Sequence, residues 1–121
     1  MDKTILACDD EKHMLRLLEF NLKKTDCRIL TASSGRQVLE ILQEDSVDLL
    51  IIDIMMPEMD GFETIRQARE LEAGKNIPVV ILTGRGQSNT KDEAEALGIS
   101  EFLTKPFSPI QLKNTIKRFL Q

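Results

Sequence analysis

Five short apolar runs alternate with longer amphipathic stretches along the 121-residue chain. The runs span residues 4–8, 28–32, 49–52, 78–82 and 101–103. Each is rich in Ile, Leu or Val and has the length of a β-strand. The third and fourth runs lack polar alternation, which is typical of strands that are covered on both faces. The alternation therefore predicts five parallel strands joined by helices.

The stretches between the runs have helical spacing and recognisable start signals. Ser33 and Ser34 precede the second helix as candidate caps, and Asp60 with Glu63 three residues later forms a capping-box-like start of the third. The fourth helix is predicted over residues 88–97 and has few apolar side chains to bury. We expect it to be the most weakly anchored of the five helices.

Strict alternation of strands and helices implies right-handed crossovers and a doubly wound α/β fold. We expect a five-stranded parallel sheet in the order 2-1-3-4-5, the flavodoxin-like arrangement. The chain length suits one domain, so residues 1–121 are predicted to form a single domain. Ligands of such sheets bind at the carboxyl ends of the strands. The residues that follow the strands are therefore the candidates for a functional site.

Charge and cysteine content exclude several classes of function. Twenty Asp and Glu against sixteen Lys and Arg leave a net charge of −4, the wrong sign for a domain that neutralises nucleic-acid phosphates. No apolar run approaches the ~20 residues of a membrane span, and the first residues do not resemble a signal peptide. Cys8 and Cys27 are expected at opposite ends of neighbouring strands, ~17 Å apart and too distant for a disulfide. We therefore expect a cytoplasmic protein with two free thiols.

Polar side chains follow the strands that should be neighbours in the sheet. Asp9 and Asp10 stand at the end of the first strand, the third strand ends at Asp53, the fourth ends at Thr83, and Lys105 lies just beyond the fifth. Three carboxylates in one crevice repel each other unless a cation intervenes, and Mg²⁺ prefers such oxygen ligands. A lysine ammonium and a threonine hydroxyl suit the oxygens of a phosphoryl group, and an aspartate can accept that group covalently. Asp53, at the centre of the sheet, is the best-placed acceptor.

Four motifs at these strand ends resemble the receiver domain of two-component response regulators, the CheY-like family. They are Cys-Asp-Asp-Glu at 8–11, Asp-Ile-Met-Met-Pro-Glu-Met-Asp-Gly at 53–61, Thr-Gly at 83–84 and Lys-Pro-Phe at 105–107. The resemblance covers essentially the whole chain. It implies that Asp53 accepts a phosphoryl group from a phosphohistidine of a histidine kinase.

The resemblance also implies a magnesium site. Asp10, Asp53 and the backbone carbonyl of Met55 would bind Mg²⁺ directly, and Asp9 would help through a water molecule. Mg²⁺ is thus the one cofactor that the resemblance implies.

The switch of the family maps onto further residues of this chain. Thr83 and Lys105 would contact the phosphoryl oxygens, and the peptide bond between Lys105 and Pro106 resembles the family's cis peptide. Thr83 and Phe102 would be the switch residues. Many receivers carry a tyrosine where this chain has Phe102, so hydrogen bonds from a tyrosine hydroxyl are not available here.

The implied function is that of a phosphoacceptor switch rather than an enzyme with its own substrate. The phosphoryl donor would be a histidine kinase or a phosphotransfer protein, and the signal would leave through the face formed by helix four, strand five and helix five. The family also uses this face for homodimers. The kinase, the effector, the oligomeric state and the lifetime of the aspartyl phosphate stay open at this point.

Two other functions share features with this reading of the sequence. A small Mg²⁺-dependent phosphatase of the haloacid dehalogenase type also uses an aspartate nucleophile at a strand end, but those enzymes carry an Asp-x-Asp pattern that Asp53-Ile54-Met55 lacks. A flavodoxin-like cofactor binder needs a phosphate-binding loop after strand one. The acidic residues 9–11 would repel a phosphate there.

Overall fold

The structure is a computed structural model that describes residues 3–84 and 91–120. The strands are β1 (Thr4–Cys8), β2 (Arg28–Ala32), β3 (Leu49–Asp53), β4 (Val79–Thr83) and β5 (Glu101–Thr104). The helices are α1 (Lys12–Leu22), α2 (Gly35–Glu44), α3 (Gly61–Glu70), α4 (Lys91–Ala96) and α5 (Pro109–Leu120). A short 3₁₀ helix, Glu72–Gly74, follows α3.

The five strands are parallel and pair in the order β2-β1-β3-β4-β5, so the predicted fold is confirmed. Asp53 and Thr83 are the last residues of β3 and β4, as predicted, and their backbones pair with Leu82 and Thr104. Because backbone groups make the ladder, a polar side chain at the last position is compatible with pairing.

The predicted starts of α2 and α3 are confirmed by their side-chain caps. Ser34 Oγ accepts a hydrogen bond from the backbone N–H of Gln37 at 3.2 Å, and Asp60 Oδ1 accepts one from the N–H of Glu63 at 2.9 Å. Helix α4 is described over Lys91–Ala96, within the range predicted for the fourth helix; residues 88–90 of that range lie outside the described part of the chain.

The sheet separates two apolar cores. Because side chains alternate along a strand, Leu6 of β1 faces one core and Ile5 faces the other. The first core is closed by α2, α3 and α4, and the second by α1 and α5. Strand β5 lies at the edge of the sheet, between the layer that contains α4 and the layer that contains α5.

A basic cleft lies at the amino ends of β1 and β2, at the end of the strands opposite to Asp9 and Asp53. This cleft has a volume of about 470 Å³ and is lined by Lys3, Lys24, Lys113 and Lys117 among other residues. Cys27 also lines it and is half-buried, whereas Cys8 is buried beside the acidic residues. Both cysteines are free, as expected. None of the helices in the described ranges is long and apolar enough to cross a membrane.

Candidate functional site

Three carboxylates meet at the carboxyl ends of the neighbouring strands β1 and β3. Asp9 and Asp10 follow β1, and Asp53 ends β3; one oxygen of each carboxylate lies within 4.8 Å of the others. Asp9 and Asp53 are buried, with 0% and 2% of their surface exposed, whereas Asp10 is exposed. The predicted convergence of these residues is therefore present, and Asp10 lies on the solvent side.

Lys105 neutralises part of this charge. Its Nζ atom lies 2.9 Å from Asp9 Oδ2, 3.2 Å from Asp53 Oδ2 and 3.5 Å from Glu11 Oε1. The Lys105–Pro106 peptide bond is cis, as the resemblance implied. Lys105 follows the edge strand β5, yet its ammonium contacts carboxylates at the ends of β1 and β3.

Burial and charge act in opposite directions on the two partners. Burial raises the pKa of Asp53, the neighbouring Asp9 raises it further, and the Lys105 ammonium opposes both. Burial alone would lower the pKa of Lys105, but hydrogen bonding and attraction to Asp9 and Asp53 outweigh it and raise that pKa. Lys105 is therefore held in its charged form.

Backbone N–H groups orient the two buried carboxylates. The N–H of Glu11 donates to Asp9 Oδ1 at 2.9 Å, and the N–H of Met55 donates to Asp53 Oδ1 at 3.2 Å. These bonds leave the Oδ2 atoms of Asp9 and Asp53 facing Lys105. The Met55 side chain is 66% exposed, so the backbone of this residue reaches the site while its thioether faces solvent.

The chemistry of this donor set fits a hard divalent cation. Its oxygens come from carboxylates, and three negative charges face one ammonium. Asp9 Oδ2 is buried and receives no well-directed hydrogen bond from the described residues; its close partner there is the Lys105 ammonium. A cation entering beside the exposed Asp10 would relieve the remaining repulsion.

The predicted switch residues lie along β4 and β5. Thr83 is buried at the end of β4, one position beyond the residue that pairs with Asp53. Phe102 lies on β5 opposite Ile81, and 38% of its surface is exposed. Thr83 is thus near the acidic site, whereas Phe102 lies toward the opposite end of β5 on the outer edge of the sheet.

Gly61, the last residue of the 53–61 motif, packs against the backbone of the proposed acceptor, a contact that the motif alone does not predict. A Cβ atom at this position would lie 2.5 Å from the carbonyl oxygen of Asp53 and 2.8 Å from Ile54 Cα. The N–H of Gly61 also donates to the carbonyl of Ile54 at 2.9 Å. The first turn of α3 therefore packs directly on the backbone that carries Asp53.

Glu11, the last residue of the acidic run 9–11, also lies at the site, which its place in the sequence alone does not predict. Its side chain is exposed and approaches Lys105 at 3.5 Å. The sequence signal for this contact is the run of three acids at 9–11, which places Glu11 two residues from Asp9.

A doubly wound sheet with clustered carboxylates and a lysine at the carboxyl ends of its strands is typical of domains that handle phosphoryl groups with a divalent cation. Comparison with known proteins defines the class further. The sequence profile described as "Response regulator receiver domain" matches residues 5–117. The chain therefore belongs to the response regulator receiver domains of two-component systems.

Curated relatives agree with this family. PhoP of Bacillus subtilis, an alkaline phosphatase synthesis transcriptional regulatory protein, is 33% identical over 121 residues, which are 100% of this chain and 50% of PhoP. Response regulator GtcR of Aneurinibacillus migulanus is 39% identical over 111 residues, 92% of this chain and 45% of GtcR. The chain thus spans about half the length of these relatives. Nothing in these relatives supports the phosphatase alternative.

Solved structures confirm the fold. The chemotaxis protein CheY4 of Vibrio cholerae is 32% identical, with a TM-score of 0.94 over 99% of this chain and 100% of CheY4. The receiver domain of the sensor histidine kinase PA1611 of Pseudomonas aeruginosa is 23% identical, with a TM-score of 0.88 over 98% of each chain. The latter structure holds a magnesium ion in its active-site cleft.

Proposed function

We propose that Asp53 is the phosphoacceptor of this receiver domain. The observation that carries the proposal is the position of its carboxylate, buried at the end of the central strand with a charged lysine 3.2 Å away. A carboxylate oxygen of Asp53 attacks phosphorus and forms a P–O bond, while the bond from phosphorus to the donor breaks. The electron pair of that bond goes to the leaving group: the imidazole nitrogen of a phosphohistidine also takes up a proton from solvent, whereas acetyl phosphate releases acetate as the anion.

The neighbouring residues have distinct proposed roles. Lys105 and Thr83 hold the oxygens of the incoming phosphoryl group, because an ammonium and a hydroxyl can both donate to them. Lys105 already lies beside the acceptor, and Thr83 ends the adjoining strand. Both contribute by positioning the group and stabilising its charge.

Asp10, Asp53 and the backbone carbonyl of Met55 are proposed to bind Mg²⁺, with Asp9 acting through a water molecule. The three carboxylates supply the preferred oxygen ligands, and a receiver domain of the same fold holds magnesium in its active-site cleft. When bound, Mg²⁺ would neutralise charge on the phosphoryl oxygens. The exposed Asp10 gives the ion a route from solvent.

The proposed donor is a histidine kinase or a phosphotransfer protein, and the proposed output surface is the α4-β5-α5 face. The proposed face exchanges between two conformations, one of which has better contacts with the phosphoryl group. Phosphorylation would favour that conformation through Thr83 and Phe102. The same face is proposed for a homodimer. We propose no direct contact of this domain with nucleic acid, in keeping with its net charge of −4.

We further infer a cytoplasmic location and a single receiver domain over residues 1–121. Two free cysteines fit a reducing compartment. Histidine kinases deliver their phosphoryl groups in that compartment as well, because they draw on ATP.

Incubation with acetyl phosphate and Mg²⁺ tests the acceptor. We expect the mass of the intact protein to increase by one phosphoryl group, and the added group to be released by hydroxylamine, as an acyl phosphate is. Asp53→Asn should abolish the increase. Asp60→Asn is the matched control, because asparagine also caps helices and residue 60 caps α3 outside the acidic site.

Three outcomes would contradict the proposal. The wild type could fail to gain mass, or Asp53→Asn could gain as much as the wild type. The phosphoryl group could also be recovered by peptide mapping on another residue. Retention of the gain in Asp60→Asn shows that loss in Asp53→Asn is specific.

A further inference from the structure

Arg69, in the last turn of α3, donates hydrogen bonds to carbonyl groups of two other segments. Its Nη1 atom donates to the carbonyls of Gly74 and Ile77, at 2.9 and 2.7 Å, in the segment before β4. Its Nε and Nη2 atoms donate to the carbonyls of Leu97 and Gly98, at 3.0 and 3.1 Å, in the turn between α4 and β5. One guanidinium thus joins three parts of the chain.

This guanidinium has no ion-pair partner among residues 3–84 and 91–120. Burial without a nearby anion lowers the pKa of Arg69 from its ordinary value. The carbonyl dipoles therefore stabilise the charge in place of a carboxylate. A partly buried cation that donates to these carbonyls holds them in position, because each lost bond leaves the cation less well solvated.

The carbonyls of Leu97 and Gly98 belong to the carboxyl end of α4, where backbone carbonyls lack partners within the helix. Gly98 has a φ of +68°, the left-handed conformation that ends many helices, and the N–H of Ile99 returns to the carbonyl of Ala94 at 3.1 Å. Among the described side chains of α4, Ala94 is the buried apolar contact. Arg69 therefore donates, from outside the helix, to two carbonyls at this end of α4.

The same turn leads directly into β5. The N–H of Ser100 donates to the carbonyl of Val79 at 2.9 Å, and β5 begins at the next residue. Phe102, the proposed switch residue, lies four positions after Gly98. A displacement of the turn would therefore move the start of the strand that carries Phe102.

We propose that Arg69 is a positioning residue of the switch: it holds the α4–β5 turn against α3, so that α4 and β5 rearrange about this fixed end. The proposal rests on the proposed function, because it assigns a pivot to the face on which phosphorylation is proposed to act. Arg69 has no contact with the acidic site among the described residues and takes no part in the phosphoryl transfer itself.

Hydrogen exchange measured by mass spectrometry on the intact chain, with and without acetyl phosphate and Mg²⁺, tests this role. In the wild type we expect phosphorylation to change exchange in β5 while the turn at residues 97–100 stays protected. In Arg69→Met we expect exchange at residues 97–100 to rise several-fold before phosphorylation. The further change in β5 on phosphorylation should then be lost, although Asp53 still gains its phosphoryl group.

Arg66→Met is the matched control. Arg66 lies one turn earlier on α3, and its exposed guanidinium pairs with the carboxylates of Glu63 and Glu93 rather than with backbone carbonyls. Exposed pairs of this kind contribute little, so this variant should exchange and respond as the wild type does. If Arg69→Met does not fold, Arg69→Lys gives the same comparison, because one ammonium cannot reproduce the planar fork of donors.

The outcomes separate the two proposals. An Arg69 variant that is less stable but keeps the full phosphorylation-dependent change in β5 would overturn the pivot and leave the switch intact. A wild type that gains the phosphoryl group without any change in β5 would overturn the proposed output face, and the pivot with it. A response lost equally in Arg66→Met would also overturn the assignment to Arg69.

Discussion

Lys105 Nζ lies 3.2 Å from Asp53 Oδ2, and the same atom lies 2.9 Å from Asp9 Oδ2. The ammonium therefore bridges two buried carboxylates that come from different strands. With Asp10 included, three negative charges face one positive charge, which leaves a local charge of −2. The acceptor is partly neutralised by a side chain that is also placed to meet a phosphoryl group.

Replacement of Lys105 by methionine should destabilise the protein when no metal is present. Asp9 and Asp53 would keep their burial and lose their cation, a change that typically costs about 3 kcal/mol. Urea unfolding in the presence of a chelator measures the effect. Lys113→Met is the control, because Lys113 is exposed and distant from the acidic site. A loss in Lys105→Met no larger than in this control would contradict the bridging role.

Mg²⁺ should raise the melting temperature, because it would bind the folded acidic cluster and not the unfolded chain. At roughly ten times its dissociation constant it would add about 1.4 kcal/mol, or about 5 °C for a chain of this size. Asp10→Ala should abolish the increase. Asp26→Ala, at the amino ends of the strands, should retain the increase. A wild type whose melting temperature does not respond to Mg²⁺ would contradict the metal site.

Gly61→Ala should destabilise the protein even though alanine favours helices. The added methyl group would lie 2.5 Å from the Asp53 carbonyl oxygen, and overpacking of this kind costs about 1–3 kcal/mol. Gly84→Ala provides the contrast, because a Cβ atom there meets no atom of the described residues within 4 Å. Urea unfolding of both variants gives the comparison. Equal stability of the two would show that the backbone under Asp53 yields at little cost.

Native labelling with iodoacetamide should modify Cys27 and spare Cys8. Burial, together with nearby carboxylates, raises the pKa of Cys8 to about 12, so only about one thiol in ten thousand is ionised at pH 8. Cys27 is half-buried at the amino ends of the strands, far from the carboxylates beside Cys8. Peptide mapping identifies the labelled residue, and both cysteines should react in urea. Prompt labelling of Cys8 in the folded protein would contradict this assignment.

The fold could be predicted because its signals are local. Each apolar run is one strand, and each cap signal, such as Asp60 with Glu63, involves residues three apart. The convergence of Asp9 and Asp53 followed from one general rule, that the carboxyl ends of parallel strands meet at one edge. Their roles in phosphoryl transfer remain predictions.

The contacts that the sequence did not reveal depend on geometry between distant segments. Arg69 binds backbone carbonyls, and these are present at every residue, so no residue type marks the partners. The close approach of Gly61 to Asp53 depends on where α3 begins relative to β3. The position of Glu11 beside Lys105 depends on how the chain turns after β5.

The basic cleft lies at the amino ends of the strands and the acidic site at their carboxyl ends, and the strands are about 17 Å long. The lysines of the cleft and the carboxylates of the site therefore form a dipole along the strands, which the net charge of −4 does not reveal. In the field of a charged partner such a molecule experiences a torque as well as an attraction, so it turns toward one orientation before contact. A positively charged partner would meet the acidic edge first, and added salt would weaken this alignment.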